Sequence, residues 1–140
     1  MADEKVAPKA LAWIFIMRWV ISLIFFLNAY PKFFDPNFGA AAQEYFLTLR
    51  DDIIMRGHNP YAKIFHTVII PNAYIFAWLV KHLEMFISLA FFIGFPMRMA
   101  TWSAVFLHAN YFMIASVPSL MYLNIIMAVA EFTCLASKEG

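Results

Sequence analysis

The chain has 140 residues, 64% of them hydrophobic and 14% charged, with a formal net charge of +1, whereas an ordinary soluble domain is roughly half apolar and one quarter charged. That balance excludes a water-soluble core, and ten basic residues against nine acidic ones exclude the basic field that nucleic acid requires. The single cysteine, Cys134, excludes an intrachain disulfide, a Cys-rich zinc site and an iron–sulfur cluster held by this chain alone, and it reads as a buried, inert thiol.

Residues 1–9 mix Asp3 and Glu4 with Lys5 and Lys9, and no small-residue cleavage site follows the first apolar run, so that run is expected to be retained. A first span is predicted over about residues 11–30, with Pro31 and Lys32 marking its exit; only Arg18 and Ser22 are polar between positions 11 and 27. Residues 35–71 are the one long polar segment. Within them, residues 40–55 favour helix, with Tyr45, Leu49 and Ile53 at four-residue spacing opposed by Glu44, Arg50, Asp51 and Asp52. This pattern predicts an amphipathic helix lying on the membrane surface. Gly57, His58, Asn59 and Pro60 then break the chain, and residues 64–70 are too short to cross.

A second span is predicted over residues 72–94, ended by Gly94 and Pro96 with Arg98 in the turn, and a third over residues 99–117. Val117, Pro118 and Ser119 form a further turn into a fourth span over residues 119–136. Turns this short force antiparallel neighbours. The expected fold is therefore all-α: a single transmembrane domain built as an integral membrane four-helix bundle, with a surface helix between spans 1 and 2. Both termini then share one side. Lys5, Lys9, Arg98 and Lys138 lie on that face and Lys32, Arg50, Arg56 and Lys63 on the other, and because the first set flanks short segments, the termini are expected in the cytoplasm.

Ionisable residues inside spans are where function is sought first. At about 1.5 Å per residue, Arg18 lies ~12 Å, Glu84 ~16 Å, His108 ~15 Å and Glu131 ~9 Å from the face holding the termini. Helical spacing puts Arg18, Ser22, Ala29 and Lys32 on one face, Thr101, His108 and Tyr111 on another, and Asn124 with Glu131 on a third. Arg18 with Glu84 is the expected pair, since a guanidinium accepts carboxylates in a rigid fork; the alternative pairs Lys81 with Glu84 and leaves Arg18 to Glu131. His82 and His108 sit on different spans but no third ligand stands near, so neither haem nor metal is expected. A quinone head group needs only a His, Arg or Tyr donor beside an apolar wall. The candidate quinone pocket is Arg18, His82, Glu84, His108 and Tyr111, with Lys32, Lys81, Asn124 and Glu131 completing a structural polar layer. No covalently bound cofactor is expected. Trp13, Trp19, Tyr30, Tyr74, Trp78 and Trp102 read as interfacial anchors, and His58 and His66 as solvated loop residues.

These residues carry a resemblance. Arg18 followed by Lys32 at the span exit, a loop with a surface helix and a Pro-containing end over residues 40–60, a second span reading Glu84, Gly94, Arg98 and Ala100, and Asn124 in the last span make the chain similar to the DoxX-like family. These are small four-helix bacterial and archaeal membrane proteins related to the DoxD subunit of thiosulfate:quinone oxidoreductase. The family pattern usually has a Gly shortly before the span-exit Lys, where this chain has Asn28, Ala29 and Tyr30. The resemblance implies a four-helix fold and, in some members, quinone-linked sulfur or redox chemistry. The expected function is an inner-membrane subunit of a respiratory or photosynthetic electron-transfer complex, with lipid and other membrane subunits as partners. The alternatives are a non-catalytic subunit with a purely structural salt-bridged core and, third, a small transporter, for which inverted repeats and broken helices are missing. No nucleophile triad, metal cage or phosphate-binding loop supports an enzyme working alone.

Overall fold

The computed structural model describes residues 8–115 and 118–139. Residues 1–7, with Lys5, lie outside them, as do Val117 of the expected last turn and the side chain of Lys138. All regular structure among the described residues is helical: α1 (Pro8–Phe34), α2 (Phe38–Met55), α3 (Asn59–Ile64), α4 (Ala73–Ile93), α5 (Met97–Ile114) and α6 (Pro118–Glu139). Helices suit this composition because each backbone N–H finds its partner within its own segment. Three stretches are long and apolar enough to cross a membrane, namely Lys9–Phe34, Asn59–Ile93 and Pro118–Ser137. The fourth expected span, α5, falls short of that measure because Arg98, Thr101, Ser103, His108 and Asn110 dilute its apolar residues.

Neither Pro31, expected to mark the exit of the first span, nor Pro71 ends a helix. Pro31 lies inside α1, which continues to Phe34; it removes only one N–H, and the Asp35 N–H closes the end on the Pro31 carbonyl at 3.0 Å. Pro71 falls within a single helical run from Asn59 to Ile93. A wide π turn (Phe65–Ile69) followed by a tight 3₁₀ turn (Ile70–Asn72) shifts the hydrogen-bond ladder around its missing donor. Asn72 Nδ2 donates to the Val68 carbonyl at 2.9 Å. The segment expected to be a broken loop is thus helix continuous with the second span.

α1 packs against α4 and α6, and α5 packs against the same two. Ile21, Phe25, Ile87, Phe91 and Leu107 fill the space between them, while Ala29, Ala90, Ala100 and Ala104, all buried, let the backbones approach. α2 covers one end. Ala42 meets Ala73 and Ala77, Ile53 meets Ala62 and Phe65, and Phe46 touches both groups. The packed stripe is therefore Ala42, Phe46, Leu49 and Ile53, and its apolar face is spent on the chain itself; Tyr45, expected on that stripe, is 60% exposed.

Candidate functional site: a layer of buried polar side chains

Polar contacts at three successive levels join α1 to α4. Nearest the chain termini, Arg18 Nε donates to the Phe91 carbonyl at 3.1 Å and its NH2 to the Phe92 carbonyl at 3.4 Å. These are among the last carbonyls of α4, which have no partner within the helix, and a cation there also meets the negative end of the helix dipole. Gly94 makes this possible. It ends α4 at φ +86°, and a Cβ on it would collide with the guanidinium. About one turn further on, Ser22 Oγ donates to the Ser88 carbonyl at 2.8 Å and Ser88 Oγ to the Ser22 carbonyl at 2.9 Å, both side chains being buried.

Glu84, at the third level, is 1% exposed. Its Oε2 accepts from the Lys32 ammonium, and its Oε1 accepts from the Tyr111 hydroxyl at 2.5 Å. The expected Arg18–Glu84 pair is thereby corrected. Arg18 sits level with the end of α4 rather than its middle, because the first ten residues of α1 extend past the end of α4, where Leu11, Trp13, Phe15 and Ile16 are exposed. Lys32, about four turns beyond Arg18 on the same face of α1, reaches back to Glu84 instead.

α5 and α6 meet through His108. Nδ1 lies 2.9 Å from Asn124 Oδ1 and Nε2 lies 2.8 Å from Glu131 Oε1. Asn124 Nδ2 is committed to the Leu120 carbonyl, so its oxygen accepts from Nδ1–H, and one proton is shared along the axis to Glu131. The His108 ring lies 6.3 Å from that of Tyr111 and 5.4 Å from that of Phe25. All four long helices thus contribute to one interior layer.

Of the residues read from sequence, the fold brings Lys32, Glu84, Tyr111, His108, Asn124 and Glu131 together. His82 and Lys81 stand apart. His82 is two residues from Glu84, hence ~200° around the helix, and it stacks on Trp78 at 4.1 Å with Nδ1 2.7 Å from the Trp78 carbonyl. It cannot share a pocket with His108. The alternative pairing of Lys81 with Glu84 is corrected too: the Lys81 ammonium lies over the Phe33 ring, 5.0 Å from its centre. Sequence reading missed Ser88, and it missed Arg56. Arg56 follows α2 and donates to the carbonyls of Ile114 and Ala115 at 2.7 and 2.6 Å, capping α5 as Arg18 caps α4. A lone Arg one residue past a helix end was the available signal.

Two buried atoms have no hydrogen-bond partner among the described residues, Thr101 Oγ1 and Glu131 Oε2. An unmet buried hydroxyl is destabilising by about 1–3 kcal/mol. Thr101→Val should therefore leave the thermal midpoint in detergent unchanged or raise it; a fall of several degrees would reveal a partner for the hydroxyl.

Residues 13–119 match the DoxX family model, most of the length of the chain. The chain belongs to the DoxX family. Membership together with the three long apolar helices makes it a small membrane-embedded protein. No curated protein and no solved structure matches the chain. For a DoxX protein, the notable feature here is that the polar residues of the first two spans engage one another and the helix ends, through Arg18, Gly94, Lys32 and Glu84.

Proposed function

We propose that this DoxX protein is a non-catalytic subunit of a larger membrane assembly, with its polar layer serving to hold four crossings in register. In this reading α5 is the fourth crossing. Its 18 residues span ~27 Å, close to the ~30 Å hydrocarbon core. Its polar side chains Thr101 and His108 are buried, while Trp102 and Phe106 face outward, each 62% exposed. In this reading the assembly belongs to quinone-linked electron transfer in a bacterial or archaeal cytoplasmic membrane, which the family resemblance supports, and the termini lie on the cytoplasmic side, which the basic residues flanking the short segments support.

The observation that carries the structural reading is that the layer, apart from Glu131 Oε2 and the neighbouring Thr101 hydroxyl, satisfies its polar atoms internally. Glu84 is held by Lys32 and Tyr111, His108 by Asn124 and Glu131, and two surface hollows lie elsewhere, beside Tyr74. These residues fit a quinone head group poorly, because Arg18 turns its Nε and NH2 to helix carbonyls and His82 faces away. The competing reading, a quinone at His108 and Tyr111, requires a head group to displace Glu84 or Glu131. It is tested on the assembly co-purified in mild detergent. Tyr111→Phe and His82→Ala should leave quinone-linked turnover per assembled complex unchanged, with Tyr111→Phe lowering the yield. Loss of turnover with assembly intact would overturn the structural reading.

A further inference from the structure

Beyond the polar layer, the end of the bundle covered by α2 carries a groove of about 350 Å³ whose walls include Phe33, Phe38, Tyr74, Trp78 and Lys81. A second hollow of about 290 Å³ continues it past Gly39 and Tyr74 toward Pro71. Gly39 lets α2 approach Tyr74 of α4 closely, since a Cβ there would meet the Tyr74 ring at 2.6 Å.

Lys81 is the informative member. Among the described residues it has no carboxylate partner, because Glu84, the acid one turn along the same helix, is taken by Lys32 and Tyr111. Its ammonium lies over Phe33, one residue before the end of α1, so the long stem carries the charge to the level where the first span leaves the bundle. The groove's acid, Asp35, accepts from the Asn37 N–H at 2.9 Å. No side chain caps the first turn of α2, and Phe38, Gly39 and Ala40 of that turn also line the groove, adding the positive end of a helix dipole to the lysine. Tyr74, Ile75, Trp78 and Leu79 present exposed apolar surface next to it.

We propose that this groove holds the headgroup of an anionic phospholipid, its phosphate on Lys81 and its chains along the exposed face of α4. A phosphate supplies the ion pair that no carboxylate of the described residues makes with Lys81, at the depth where headgroups lie. An aromatic rim at that level suits an amphiphile with a polar head and apolar tails.

The test is lipid retention by the purified full chain in mild detergent, read by native mass spectrometry after adding phosphatidylglycerol or phosphatidylcholine. Phosphatidylglycerol should be retained in preference to phosphatidylcholine. Lys81→Gln should weaken that retention about fivefold to tenfold, Lys81→Arg should preserve it, and Lys63→Gln, which removes an exposed cation on α3, should leave it unchanged. Equal retention by Lys81→Gln and the parent chain, or equal retention of both lipids, would overturn the proposal. Thermal protection by inorganic phosphate alone would also overturn it, by assigning the site to a soluble phosphate compound.

Discussion

Glu84→Ala should destabilise the bundle more than any other single truncation in it, by ~3–5 kcal/mol, because breaking a buried pair strands the remaining charge. Lys32 is only 25% exposed, and the Tyr111 hydroxyl would lose its acceptor as well. Glu84→Gln keeps an acceptor for Tyr111 but removes the charge, so its loss should be intermediate. Lys32→Leu combined with Glu84→Leu should recover much of the deficit, since a well-packed apolar pair can replace a buried ionic one. Denaturant titration in detergent micelles, followed by helical circular dichroism, gives the ranking. A Glu84→Ala penalty below ~1 kcal/mol, in the range of an exposed ion pair, would mean that Glu84 is solvated.

The second large effect is expected at Gly94, with Gly57 as its internal control. Both glycines have positive φ, +86° and +83°, so alanine at either incurs the left-handed penalty of about 1–2 kcal/mol. They differ in surroundings. Nothing lies within 4 Å of a Cβ at Gly57, whereas a Cβ at Gly94 would strike the Arg18 guanidinium. Gly94→Ala should therefore exceed Gly57→Ala by a further ~1–3 kcal/mol, the cost of carbonyls of α4 left without a donor. In an Arg18→Ala background the two glycine substitutions should become equivalent, which a double-mutant cycle measures directly. If the excess persists without Arg18, the guanidinium is not docked on the end of α4.

Much of this arrangement could be read from residue spacing, and the exceptions have identifiable causes. Ionisable residues in apolar runs must find partners, so the faces holding Arg18, Ser22 and Lys32, and Asn124 with Glu131, follow from helical period alone. Partner choice does not. Backbone carbonyls leave no mark in a sequence, so the acceptors of Arg18 and Arg56 were invisible, and a carboxylate was the only partner in view for Arg18. Depth reckoning assumed that spans begin and end level. The overhang of α1 at Leu11, Trp13 and Phe15 breaks that assumption and moves Arg18 away from Glu84. His82 was placed in the layer by depth although its angle on the helix opposes Glu84; period should have outranked level. Pro31 misled for a different reason: a proline interrupts only local hydrogen bonds, and α1 continues past it to Phe34.

The account depends on the register that seats α1 against α4 and turns their polar faces inward. Ser22→Cys with Ser88→Cys, in a chain whose Cys134 is replaced by Ala, tests it at the level between Arg18 and Glu84. The native serine hydroxyls are 3.3 Å apart and buried, so mild oxidation in membranes should cross-link the pair within one chain. Leu23→Cys with Leu89→Cys, at positions 56% and 52% exposed, should stay unlinked. Cross-linking of the leucine pair in place of the serine pair would show the polar faces turned outward and contradict the account.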